Sequence, residues 1–188
     1  PKEFPQAQQS IENLEQRIDL GIEYEDKVTN KHYDNQIVVV SGLPRSGTSL
    51  MMQMMDKAGV VALTDELREA DVSNPKGYYE YEPVKALYKD NSWLDKAQNK
   101  SVKIVAPLLI KAPLPEGPKV IIAMRREGNA LMQSQRHLMG AERAPLHWNE
   151  MDRWEKAHQE ITLLFTMDAQ ATVVELWFED IMEAAGEG

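Results

Sequence analysis

At 188 residues the chain is long enough to bury roughly 70% of its unfolded surface around one core, so its size calls for neither a disulfide nor a metal. It has no cysteine, which excludes a disulfide scaffold, a cysteine-ligated zinc and a thiol nucleophile. A net charge of -9 from 21 basic and 30 acidic side chains argues against nucleic acid and anionic membrane surfaces as partners.

Residues 1–9 are polar and glutamine-rich and read as an arm, and Ser10 opens a predicted helix to about Leu20 with Gly21 at its end. Together they set residues 1–35 apart from one domain over 36–188. Residues 36–40 read as a buried strand, and a helix starting at Thr48 or Ser49 runs to about Ala58, where Gly59 stops it. A short second strand is predicted at 60–63, a long loop at 64–79, and short helices at 82–87 and 92–98. Strands three and four fall at 101–106 and 119–124, followed by helices at 127–139 and from Pro145 to about Phe165. A fifth strand at 171–177 precedes an acidic tail.

Strands that alternate with helices, the central ones apolar throughout, predict an α/β fold of three layers: a parallel sheet of about five strands between helices. Ligands bind such sheets beyond the carboxyl ends of the strands. The residues after Val40, Leu63, Ala106 and Met124 are therefore where chemistry is expected. The longest apolar runs, 37–40 and 120–124, fall far short of the ~20 residues that cross a bilayer. No charged-then-apolar leader opens the sequence, so a cytoplasmic location is expected.

Behind the first strand stands Ser41-Gly42-Leu43-Pro44-Arg45-Ser46-Gly47-Thr48-Ser49. A glycine-containing turn between a strand and a helix start makes an anion cradle, because main-chain N–H groups and the helix dipole both favour negative charge. Gly42 and Gly47 have the spacing of a P-loop, but Thr48 stands where nucleotide triphosphatases carry lysine, and Arg45 supplies the cation instead. The segment 42–49 resembles the 5'-phosphosulfate loop of the sulfotransferases, and the likeness extends over about residues 36–180. That resemblance implies a P-loop-type fold and transfer of a sulfuryl group from 3'-phosphoadenylyl sulfate (PAPS) to a hydroxyl or amine, leaving 3',5'-ADP. It implies that Arg45 and the N–H groups of Ser46, Gly47, Thr48 and Ser49 hold the phosphosulfate, with no metal.

A second anion site follows strand four. Arg125 and Arg126 end that strand, and Ser134 comes eight residues after Arg126. The pattern is similar to the family's 3'-phosphate site, where an arginine and a serine at that spacing share one phosphate. Spacing favours Arg126 over Arg125, and Glu127-Gly128 replaces the usual Asp-Pro. Residues 119–143 hold five basic and two acidic side chains, a basic focus in an acidic protein. Residues 74–80 resemble a segment of bacterial members, and Phe178-Glu179-Asp180 the Tyr-Glu-Asp that ends the last core strand in many.

An acceptor hydroxyl must lose its proton. Cytosolic members use a histidine in Lys-Thr-His-Leu-Pro; 109–115 looks similar, with Lys111 beside the bridging oxygen, but Pro113 stands in the histidine's place. The protein-tyrosine sulfotransferases use a glutamate after the second strand. Thr64-Asp65-Glu66-Leu67-Arg68 falls at that distance from Arg45, so the resemblance makes Glu66 the base and Arg68 its neighbouring cation, with Glu80 and Asp71 next in line. Tyr78 lies in the loop that would cover an acceptor, which is a small molecule, a carbohydrate or a tyrosine side chain. His32, His137, His147 and His158 read as surface or structural residues, and Met51, Met52, Met54 and Met55 as core. The alternatives are a small P-loop nucleotide kinase and a catalytically degenerate nucleotide-binding module.

Overall fold

The computed structural model describes residues 35–65, 67, 77–110, 114, 116–138 and 148–186. All of them belong to the compact unit Asn35–Gly188, and the predicted N-terminal arm and helix lie outside the described residues. The elements run β1 (Ile37–Gly42), α1 (Thr48–Lys57), 3₁₀ helices at Glu82–Ala86 and Ser92–Ala97, β2 (Ser101–Lys103) and α2 (Ala106–Leu109). They continue with β3 (Lys119–Arg125), α3 (Gly128–Leu138), α4 (Trp148–Thr166), β4 (Ala171–Trp177) and α5 (Phe178–Ala184). The four strands form one parallel sheet in the order β2-β1-β3-β4. Val39 stands opposite Val102 on one side and Ile121 on the other, and Ile121 faces Val173.

Side chains alternate between the faces of a strand, and here both faces are apolar. Ile37, Val39 and Ile121 point into a core completed by Leu109 of α2, Ile161 and Phe165 of α4, and Trp93 and Leu94. Val40, Ile122 and Met124 point the other way, onto Met51 and Met52 of α1, with Ile181 of α5 at the margin. Each such side chain, once buried, contributes about 1.5–3 kcal/mol. That two-sided burial is why the strands read as continuous apolar runs. The protein is therefore an α/β fold with helices on both faces of a parallel sheet. Among the described residues no helix is long and apolar enough to cross a membrane.

Three expectations need correction. The sheet has four strands rather than five, because residues 60–63 make only one bridge, Ala62 with Ser101. The chain then turns away: the Leu63 N–H still bonds Ser101 O at 2.8 Å, but Thr64 and Asp65 bond the main chain of Glu80 instead. The strand at 101 ends at Lys103, not at 106. Pro107 lies in the first turn of α2, where proline's fixed φ suits a helix start and its missing N–H costs nothing. Finally, the acidic tail is helical: Glu179 and Asp180 occupy the first turn of α5, the end at which a helix dipole favours carboxylates.

Candidate functional site

The loop between β1 and α1 sits at the carboxyl ends of the strands and is fixed by two glycines and three outside clamps. Gly42 has φ 152°, and a Cβ there would lie 2.4 Å from Ser46 Oγ and 2.6 Å from Met124 O. Gly47 has φ 96°, and its Cβ would meet the Phe178 ring at 2.7 Å. Arg45 also has a positive φ, 77°, a conformation that costs a non-glycine residue about 1–2 kcal/mol. Its surroundings hold it there. Arg126 donates through Nη1 to the Arg45 carbonyl at 3.0 Å, and Gln135 donates through Nε2 to the Pro44 carbonyl at 2.7 Å. The Arg45 side chain in turn donates through Nε to Ser134 Oγ at 2.9 Å.

The helix N-terminus beyond the loop offers donors. Gly47 caps α1 without a side-chain bond, and the first N–H groups of a helix have no carbonyl one turn back. The Ser46 N–H is not among those donors, since it closes the turn onto Leu43 O at 3.0 Å. What Ser46 presents is its hydroxyl, which is buried and makes no hydrogen bond.

Of the two arginines at the end of β3, Arg126 is the one brought to the loop. Its guanidinium lies over the Phe178 ring, 4.3 Å from the centroid, with Glu179 3.9 Å from Nε. Nε itself is buried without a hydrogen bond. Burial pulls the Arg126 pKa below the usual arginine range; Glu179 opposes this and Arg45 adds to it. Arg125 turns the other way. It pairs with both carboxylate oxygens of Glu155, at 2.8 and 3.0 Å, and with Glu175 at 3.4 Å, and it rests over Trp177. Glu127, in place of the resembled aspartate, caps α3: its carboxylate accepts the N–H groups of Asn129 at 3.0 Å and Ala130 at 2.8 Å. Those bonds hold its pKa below the ordinary carboxylate value.

Lys103, at the end of β2, is the residue that sequence reasoning missed. Its side chain is 6% exposed, and Nζ lies 3.5 Å from Glu80 Oε1 and 3.4 Å from Ser49 Oγ. Nζ also donates to the Tyr78 carbonyl, which accepts the Ser49 hydroxyl at 3.3 Å as well. A single charge within the buried run 101–104, at the carboxyl end of a parallel strand, was the available signal. The Tyr78 ring is buried and sits under Lys103, 5.8 Å from Nζ.

A cleft of about 400 Å³ opens beside the loop, lined by Leu43, Ser46, Met124, Arg126, Leu131 and Trp177 among others. His158 of α4 also lines it, buried and 3.3 Å from Glu175 Oε1. Burial first, and then Arg125, press the His158 pKa below 6.5, with Glu175 pulling upward. Met51 and Met52 are core residues, while Met54 is exposed. Glu66, Arg68, Asp71 and Lys111 lie outside the described residues. Among the described residues no cluster of three histidine, aspartate or glutamate side chains is placed to hold a metal. No protein-family model matches the chain, and no curated protein matches it.

Proposed function

We propose that the protein is a sulfotransferase that moves a sulfuryl group from PAPS to an acceptor hydroxyl or amine. The observation that carries the proposal is the convergence of Arg45, Arg126 and Ser134 on one loop. Three residues that two separate anion motifs supply are joined by hydrogen bonds across 81 and 89 positions of sequence. A donor with anionic groups at two points suits such a site better than a single phosphate does.

The residues present fit the donor. Ser46 Oγ and Arg126 Nε are buried polar atoms without a hydrogen-bond partner, each at a cost of about 1–3 kcal/mol, and an anion's oxygens relieve it. The two glycines let the loop main chain pack closely against Met124 and Phe178, where a Cβ would collide. Arg126 and Ser134 would hold the 3'-phosphate, and Arg45, Thr48, Ser49 and the α1 N-terminus the phosphosulfate. PAPS supplies an activated sulfuryl group whose transfer requires no metal in the resembled family. In this reading the chain's own cations, Arg45 and Lys103, would meet the negative charge of the leaving phosphate, the type of stabilisation that usually contributes most to catalysis.

The test is thermal denaturation with 3',5'-ADP, ATP–Mg²⁺ or AMP. A ligand at 100 times its dissociation constant adds about 2.7 kcal/mol, and each kcal/mol raises Tm by about 2–4 °C in a chain of this length. 3',5'-ADP is expected to raise Tm by about 5–10 °C on that scale, and ATP–Mg²⁺ by less. Equal or greater stabilisation by ATP–Mg²⁺ refutes the proposal in favour of a kinase.

A further inference from the structure

Two donors beside the loop are engaged by a main-chain oxygen. Lys103 Nζ, on β2, and the Ser49 hydroxyl, on α1, both donate to the Tyr78 carbonyl, the Ser49 bond at 3.3 Å. A carbonyl oxygen has two lone pairs, and these two bonds take both. Tyr79, which shares that peptide unit, has φ 52°. Asparagine visits this left-handed region readily, but for a ring-bearing side chain it is an outlier. Such angles collect in switch regions, where the surroundings hold them. Here the Tyr79 hydroxyl donates to Asp56 Oδ2 at 3.2 Å, near the end of α1. The Glu80 carbonyl accepts the Thr64 hydroxyl at 2.9 Å, and the Tyr78 ring is buried. In a trans peptide the N–H lies opposite the carbonyl, so the Tyr79 N–H points away from Lys103. Among the described residues nothing accepts it.

We propose that the Tyr78–Tyr79 peptide is a two-position switch of the anion site, a form of regulation that rests on the sulfotransferase reading. In the observed position its carbonyl takes the donors that a phosphate oxygen of PAPS or 3',5'-ADP would use. In the other position the rigid peptide plane has turned over between Cα atoms that stay in place. Lys103 and Ser49 are then released to the anion. The Tyr79 N–H points where the carbonyl stood and gives the anion one more donor. The turn carries Tyr79 φ from 52° to about −130°, inside the broad extended region open to any residue. Strain and carbonyl position are thus one coordinate: the motion that relaxes Tyr79 also opens the site. The two rings and the Glu80 anchor need not move. An anionic oxygen makes stronger hydrogen bonds with both donors than a neutral carbonyl does. That preference for one position is what lets a ligand drive the turn.

The experiment compares Tyr79→Gly with Tyr79→Ala in the full chain. Both lack the ring and its bond to Asp56, and they differ in that glycine accepts a positive φ without steric cost. Glycine therefore favours the observed carbonyl position and alanine the turned one. Calorimetry with 3',5'-ADP should give a Kd about fivefold higher for Tyr79→Gly than for Tyr79→Ala, because apparent affinity scales with the fraction of competent molecules. Equal values, or tighter binding by Tyr79→Gly, overturn the switch. A crystal structure of the wild type with 3',5'-ADP is the second readout, and it decides alone if either variant fails to fold. It should show Tyr79 at a negative φ and the Tyr78 carbonyl turned from Lys103. A carbonyl still bonded to Lys103 and Ser49 overturns the proposal. The donor reading fails separately, if the wild type binds pyrophosphate but not 3',5'-ADP. The variants and the crystal are then read with pyrophosphate, and the same outcomes decide the switch. A wild type that binds neither anion overturns both.

Discussion

Replacing Gly42 by alanine separates the strain of a backbone angle from the cost of a blocked space. Gly59 provides the comparison: it too has a positive φ, 90°, but a Cβ there would meet nothing within 4 Å. Gly59→Ala should cost only the left-handed conformation, about 1–2 kcal/mol. Gly42→Ala adds a Cβ 2.6 Å from the Met124 carbonyl oxygen, and Met124 is its partner across β1 and β3. Ser46 Oγ, at 2.4 Å, can rotate away, but the carbonyl belongs to the central sheet. Relief means prising the two middle strands apart, an overpacking cost of about 1–3 kcal/mol, on top of about 1–3 kcal/mol for the backbone. Urea denaturation of both variants, fitted with a common slope against the wild type, measures the difference. Gly42→Ala is expected to lose about 2–6 kcal/mol by that reckoning, and more than Gly59→Ala in every case. Equal losses would refute the idea that close approach of the strands, rather than φ alone, requires glycine at the end of β1.

Arg45→Ala should lower transfer about a hundred- to thousandfold, as loss of one charge-stabilising donor does, with a smaller change in the Kd for 3',5'-ADP. Arg126→Ala should mainly raise that Kd, by the ~1.5–3 kcal/mol of a charged hydrogen bond; steady-state kinetics and calorimetry on both variants check the division, and identical behaviour contradicts it. Stability should also fall as pH drops below about 6.5. His158, pushed down by burial and by Arg125, is protonated more readily in the unfolded chain, so its contribution is complete above the unfolded pKa and is lost as pH falls through the folded one. Urea titrations from pH 8 to pH 5 should show that slope in the wild type and a flatter one in His158→Gln.

The sheet was legible in the sequence because both of its faces are covered. Runs such as Val38-Val39-Val40 and Ile121-Ile122 admit few alternatives to a buried strand, and the edges of β1, β3 and β4 fell within a residue or two of expectation. The strand expected at 60–63 does not form, for a local reason: Val61 is 58% exposed and only Ala62 pairs. Exposure at the edge of a sheet leaves no imprint that distinguishes a strand from an extended loop. At the site, the loop glycines, Arg45, Arg126 and Ser134 were legible because each belongs to a motif of fixed spacing. Lys103 was not. Its role arises from the pairing of β2 beside β1, which sets its ammonium against Ser49 and Glu80, and no spacing along the chain encodes that neighbour. Nor was Gln135, whose bond to the Pro44 carbonyl depends on how α3 lies against the loop.

The clamps on the loop have a consequence for how the protein is made. Arg126, Ser134 and Gln135 act on Arg45 and Pro44 from 81, 89 and 91 residues downstream, and the Phe178 ring beneath Gly47 comes later still. At about 5–20 residues per second of synthesis, the loop leaves the ribosome several seconds before anything that can hold it. During that interval β1 exists without the β3 neighbour that pairs with it along its length, and its apolar residues and strand edges are open to other chains. The candidate site is thus among the last parts of the nascent protein to take shape, although its loop follows the first strand of the sheet. A chain released before β3 and α3 would carry the complete loop sequence and no means of holding its backbone in place.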